Sequence, residues 1–265
     1  MTLSRTINSS KDVNSNKRLS VQVSLTGLSF LLETSQEPSI YKAVSFDSQL
    51  NPAQVLQEIL SYFKNESFLQ TAVKDVRIVY HNKEFALVPN KVFDANNLAE
   101  YLKYNARLLA NDFLDYDQID SFGITNVYVP YTNVNNFFFD TYGDFIFEHS
   151  ISVYLKATQQ IIDQTAQAQV FLEKQEDDFI LAAYSKGQLQ LANVFPHSCK
   201  EDLLYYLLFS LEQLAFDPDS LLLHITGGIQ PNDAYYDLIY TYIRYVNFTQ
   251  EQEDSAGYLL KNCWL

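Results

Sequence analysis

Apolar and polar residues alternate strictly over Leu19–Leu25, with Leu19, Val21, Val23 and Leu25 set against Ser20, Gln22 and Ser24. A period of two predicts a strand buried on one face. Thr26-Gly27 reads as a tight turn, Leu28–Leu32 returns, and Ile40–Phe46 predicts a third strand. Asn51-Pro52-Ala53-Gln54 is a helix start: Asn caps, Pro takes the first turn, and Gln closes a capping box. Val55, Leu56, Ile59, Leu60 and Phe63 follow at helical spacing. Val76–Tyr80 and Phe85–Val88 predict strands around a His81-Asn82-Lys83 turn. Ala95–Leu109 predicts a helix, Ile124–Val129 a strand and Ile151–Thr165 a helix.

The second half repeats this plan. Ala166–Leu172 predicts a strand, Glu173–Asp177 a polar turn, and Asp178–Tyr184 and Gln188–Phe195 strands joined at Ser185-Lys186-Gly187. Ser198-Cys199-Lys200-Glu201 has the form of a capping box, opening a helix with Leu203, Leu204, Leu207, Leu208, Leu211 and Leu214 in phase. Leu221–Gly228, Leu-Leu-Leu-His-Ile-Thr-Gly-Gly, then reads as a buried strand stopping at paired glycines. Asn232 or Asp233 caps a helix with Leu238, Ile239, Tyr242, Ile243 and Val246 on one stripe. First strands begin at Leu19 and Ala166 (166 − 19 = 147), capping boxes at Asn51 and Ser198 (198 − 51 = 147), and following strands near Val76 and Leu222 (222 − 76 = 146). Three landmarks with one offset predict a duplicated βββαβα unit. The expected organisation is a polar N-terminal segment over residues 1–18, a first lobe over 19–150 and a second over 151–265.

Composition narrows the function classes. With 47% hydrophobic and 15% aromatic residues, the 265-residue chain can bury a sizeable core. A net charge of −14 argues against a nucleic-acid partner and against anionic membrane surfaces. No run approaches the apolar length of a membrane span, and the polar N-terminus lacks a signal-peptide core. Cys199 and Cys263, with four scattered histidines, offer no metal-ligand spacing and fit a reducing compartment, so the expectation is a cytoplasmic protein with no bound metal.

Two tandem βββαβα units resemble the actin-like ATPase superfamily, whose halves are each ribonuclease H-like. In that superfamily two glycine hairpins hold phosphates and a third motif, an apolar strand ending in Gly-Gly, approaches the adenosine. Leu222–Gly228 resembles the third motif, which implies Thr226, Gly227 and Gly228 as nucleotide contacts. The turn matching the first hairpin is Ser24-Leu25-Thr26-Gly27-Leu28-Ser29, which adds Thr26 and Gly27 but lacks the acidic residue that organises magnesium. The second, Glu173-Lys174-Gln175-Glu176-Asp177-Asp178, has no glycine, and its acidic side chains would repel phosphate. The chain as a whole also resembles an uncharacterised bacterial family of Bacteroidetes type with an actin-like ATPase fold. More distantly it is similar to actin-like components of secretion and pilus assembly systems, some of which are scaffolds.

Three functions follow. The first is a non-catalytic scaffold with a degenerate nucleotide crevice, meeting a protein partner or itself through an aromatic surface. Phe137–Phe139 are candidates, since three consecutive Phe in a strand cannot all face one core. The alternative is an ATP-binding protein or slow magnesium-dependent ATPase, with Asp177, Asp178 or Asp140 as carboxylates. The third, a metal-dependent nuclease, is disfavoured because the first strands carry Ser20, Gln22 and Ser24, or Gln167 and Gln169, instead of acids. No catalytic residue is assigned: Cys199 at a helix start has no partner, and His224 sits on an apolar strand.

Overall fold

The computed structural model describes residues 17–35, 37–109, 112–249 and 257–265, so most of the expected N-terminal segment lies outside the described residues. The alternating stretch forms β1 (Arg18–Val23), which pairs antiparallel with β2 (Gly27–Glu33), itself paired with β3 (Ile40–Ser45). After α1 (Pro52–Asn65), β4 (Asp75–Tyr80) lies parallel to β1. The Asn51 capping box forms in full: its side chain accepts from the Ala53 and Gln54 backbones, and the Gln54 side chain accepts from Asn51 N–H.

The chain then leaves the first sheet. β5 (Phe85–Pro89) does not fold back on β4 as the predicted hairpin would. It pairs instead with β7 (Ile124–Tyr128), whose other neighbour is β6 (Asp115–Ile119), in a separate three-stranded sheet. Asn82 explains the departure, because its side chain donates to Val129 O and accepts from Glu84 N–H, tying the crossover to the far end of β7. The predicted helix over Ala95–Leu109 shrinks to α2 (Leu98–Leu102) behind a single 3-10 turn. There Asp94 collects the Asn96 backbone and both Asn side chains, a local competition with helix that favours a turn.

α3 (Thr132–Tyr142) and β8 (Ile146–His149) complete the first half, and α4 (Ser150–Gln159) leads on from it. The second follows with β9 (Gln169–Lys174), β10 (Asp178–Ser185), β11 (Gln188–Pro196), α5 (Lys200–Gln213), β12 (Leu222–Gly227), α6 (Ala234–Tyr242), β13 (Tyr245–Phe248) and α7 (Tyr258–Asn262). The strand orders are β3-β2-β1-β4-β8 and β11-β10-β9-β12-β13, the same βββαβα winding twice. The common offset is looser than expected: β1 to β9 is 169 − 18 = 151, α1 to α5 is 200 − 52 = 148, and β4 to β12 is 222 − 75 = 147. Two boundaries differ in the same region. α5 starts at Lys200 without the Ser198 capping box, its N-cap Cys199 making no side-chain cap, while Ser198 N–H donates to Asp202. α6 stops at Tyr242, which leaves Val246 in β13.

Strand faces divide the core. Phe179, Leu181 and Ala183 of β10 pack outward with the leucines of α5 and Ile239 of α6. Ile180, Ala182 and Tyr184 pack inward with Tyr154 and Leu155 of α4 and Leu259 and Leu260 of α7. β1 departs from the half-buried expectation: Ser20 faces no solvent, because α7 covers it and its hydroxyl accepts from Trp264 Nε1 at 2.7 Å. Arg18 and Arg77 each lie 4.9 Å from the Trp264 ring. Phe137–Phe139 are helical in α3, not extended. Steps of about 100° per residue bury Phe138, half-bury Phe137 against Phe63 and leave Phe139 exposed.

Candidate functional site

The winding brings three chain reversals to one place. The β1–β2 turn, the β9–β10 turn and the end of β12 border a cleft of about 260 Å³ whose walls include Ser24, Thr26, Gly27, His81, Asp178 and Gly228. Of the five residues singled out from sequence, Thr26, Gly27 and Gly228 line this cleft. Thr226 and Gly227 lie behind it in β12, Thr226 buried and Gly227 paired with Glu173.

Both lining glycines have a reason in the backbone. A Cβ on Gly27 would press on Val44 O across the β2–β3 ladder. Gly228 has φ +73°, and a Cβ there would run into Lys174 O. The space beside Gly228 is therefore taken by the β9–β10 turn.

A phosphate-holding turn offers free backbone N–H groups. In the β1–β2 turn, the Thr26 and Gly27 N–H groups both donate to Ser24 Oγ, at 3.2 and 2.9 Å. This is a local hydroxyl–backbone turn that uses the donors itself. The facing turn is acidic, with Glu176 and Asp177 exposed at its tip. Its one lysine turns away: Lys174 Nζ donates to Gln175 O and lies 4.9 Å from the Tyr235 ring centroid.

Side chains bridge the two sheets here. Gln22 Nε2 donates to Gln175 Oε1 at 3.0 Å. His81 lies between Asp178 Oδ1, 2.7 Å from Nε2, and Ser150 Oγ, 2.9 Å from Nδ1. Burial pushes the Asp178 carboxyl up, but the attraction and hydrogen bond of His81, with Lys83 and His197, outweigh it and hold the carboxyl below its usual range. An ionised carboxylate only accepts, so His81 Nε2 donates to Asp178, while Nδ1 and the Ser150 hydroxyl share the second hydrogen bond. The set contains Ser, His and Asp, but Ser150 is fully buried and presents no nucleophile.

The inner end of the crevice holds a second polar network. Glu173, expected in a turn, is the fifth residue of β9 and is 3% exposed. Gln175 Nε2 lies 3.3 Å from Glu173 Oε1, and Thr226 Oγ1 lies 2.6 Å from Oε2. Thr226 Oγ1 also lies 3.0 Å from Leu172 O and 3.1 Å from Tyr154 OH. Desolvation lifts Glu173 to about 8, against the lowering effect of the Thr226 hydrogen bond.

The remaining candidates do not join the cleft. Asp140 is exposed on α3. Cys199 is exposed at the start of α5. His224 stacks on Phe171 at 4.4 Å, and burial lowers its pKa to about 4. Among the described residues no group of three or more His, Cys, Asp or Glu could hold a metal ion, and no helix is long and apolar enough to cross a membrane. Sequence reasoning missed Glu173, Tyr41 and His81 as crevice residues. The signal for Glu173 was its place as the next residue of the strand run Val170-Phe171-Leu172, where an acid must be buried.

The two sheets of matching strand order, the helices between and outside them, and the crevice at the strand turns define an actin-like ATPase fold made of two ribonuclease H-like halves. The chain belongs to the family described as "Protein of unknown function (DUF3822)", whose model matches residues 8–246. Among solved structures it is similar to a protein with actin-like ATPase fold and unknown function from Bacteroides thetaiotaomicron VPI-5482. That likeness has a TM-score of 0.79 and 19% identity, and covers 94% of this chain and 95% of that one. It is also similar to a chain of a PilM-PilN type IV pilus biogenesis complex, with a TM-score of 0.57 and 13% identity, over 92% of this chain and 94% of that one. No curated protein sequence matches the chain.

Proposed function

We propose that this protein is a non-catalytic binding protein or scaffold, with lobes at 19–150 and 151–265 and a crevice that no longer takes nucleotide phosphates. The observation that carries this reading is the occupation of both Thr26 and Gly27 N–H groups by Ser24 Oγ. The acidic β9–β10 turn supports it, since a polyphosphate would meet Glu176 and Asp177.

Exposed aromatic side chains support a protein partner or self-association. Phe139 on α3 is 62% exposed and Tyr205 on α5 is 61% exposed, Tyr205 stacking on Phe209 at 16°. Exposed aromatics of this kind anchor interfaces. The PilM-PilN neighbour is itself held in a complex with a partner protein, a parallel in keeping with this reading.

Isothermal calorimetry tests the proposal. ATP and ADP, with and without magnesium, are expected to give no saturable heat at millimolar ligand. Saturable binding that Gly227→Val abolishes would overturn it and would make ATP hydrolysis the function to test.

A further inference from the structure

Beside the cleft described above lies a second cavity, of about 290 Å³, whose lining includes Gln22, Tyr41, Glu173, Gln175 and Tyr258. Its chemistry is unusual in one respect. A carboxyl group sits in its wall, 97% removed from solvent by its 3% exposure, and no ion pair to it occurs among the described residues. Burying a carboxyl without a counter-charge is costly. An ionised carboxylate has room for about four hydrogen bonds, and Glu173 receives two.

A protonated Glu173 accounts for this burial. The Thr226 hydroxyl has one hydrogen and two acceptors in reach, Leu172 O and Glu173 Oε2. With a proton on Glu173, the acid donates to Thr226 Oγ1, Thr226 donates to Leu172 O, and Tyr154 OH donates to Thr226. Every hydrogen then has one acceptor. With Glu173 ionised, Leu172 O and Glu173 compete for one hydrogen.

We infer that this cavity is a site for an organic cation, a guanidinium or alkylammonium group, with Glu173 as its counter-charge, Tyr41 and Tyr258 as its aromatic walls and the Gln22 and Gln175 side-chain carbonyls as acceptors. Planar or compact cations favour such a set of one carboxylate, ring faces and carbonyl oxygens. The approach is favourable, since the neighbouring turn is acidic and the chain carries −14. Lys174 also lines the cavity, but its ammonium group is held toward Tyr235.

Cation entry converts Glu173 from acid to carboxylate and releases one proton. Burial raises the free carboxyl to about 8. The titratable groups facing it are the hydroxyls of Tyr41 on β3, Tyr154 on α4 and Tyr258 on α7, all raised above their usual value and neutral through this range, while the neighbouring Lys174 ammonium is held toward Tyr235. Below pH 8 a cation competes with the proton, and above it the site is already ionised. Affinity therefore rises with pH, by about tenfold between pH 7 and pH 9. A guanidinium stays charged throughout.

The inference goes beyond the function proposed above. Nucleotide binding would overturn that proposal and leave the following titration to be read by itself. Ethylguanidinium, and the peptide acetyl-Gly-Gly-Arg-Gly-Gly-amide, are titrated into the full chain by calorimetry at pH 7 and pH 9 in physiological salt. Saturable binding is expected, about tenfold tighter at pH 9 and lost in Glu173→Gln. Tyr41→Leu, at a position 40% exposed, is expected to weaken binding about fivefold. Ethylguanidinium binding as tightly as the peptide identifies a free small cation as the source. Binding of the peptide alone, lost in Glu173→Gln, identifies an arginine of a protein partner. No binding of either probe, or affinity unchanged in either variant, overturns the inference.

Discussion

Gly228→Ala is expected to destabilise the fold by about 2–5 kcal/mol. The left-handed backbone, φ +73°, costs an L-residue about 1–2 kcal/mol. The added methyl would also meet Lys174 O, a backbone atom that cannot swing aside, and relieving such overpacking adds about 1–3 kcal/mol. Gly123 is the control. Its backbone is left-handed, φ +62°, but nothing lies within 4 Å of a Cβ there, so Gly123→Ala carries the conformational cost alone. Urea unfolding of both variants separates the two costs. If Gly228→Ala loses no more than Gly123→Ala, the Lys174 backbone yields freely, and Gly228 is kept bare for some other reason.

His81→Ala is expected to cost about 2 kcal/mol at pH 7, because it removes a hydrogen-bond partner of the largely buried Asp178 carboxylate and leaves the Ser150 hydroxyl buried without its partner. The pH dependence has a definite sign. The folded Asp178 carboxyl lies below its ordinary value. Its contribution is therefore complete above the unfolded pKa, near 4, and is lost as pH falls through the lower folded value. Wild type should lose stability to acid more steeply than His81→Ala below about pH 4. Equal acid limbs, or a loss under about 1 kcal/mol at pH 7, would mean that the contact between the sheets contributes nothing.

The two-halved architecture was legible in the sequence because local signals and core pattern agreed. Asn51-Pro52 with Gln54 marked α1, and the leucine run of α5 had one helical phase. The inserted three-stranded sheet was not legible. β6, Asp-Tyr-Asp-Gln-Ile, shows no apolar alternation, and β5 follows β4 so closely that a hairpin was the natural reading. The bonds that carry the chain away are tertiary, among them those of Asn82 to Val129 O and of Val129 N–H to Glu84 O. The crevice was half legible. Its turns could be placed from the strand plan, but the use of the Thr26 and Gly27 N–H groups depends on a Ser24 rotamer. The Gln22–Gln175 and His81–Asp178 contacts span separations of 153 and 97 residues, which no local pattern encodes.

On the proposed function the crevice is a braced contact between two sheets and not a nucleotide-operated hinge. The direct measurement is the distance between the halves, by double electron–electron resonance. One spin label is placed on Cys199, which is exposed, and the other on a Ser61→Cys variant at an exposed site of α1. One narrow distance distribution is expected, unchanged by ATP, ADP or magnesium. A second distance that appears with nucleotide would contradict it.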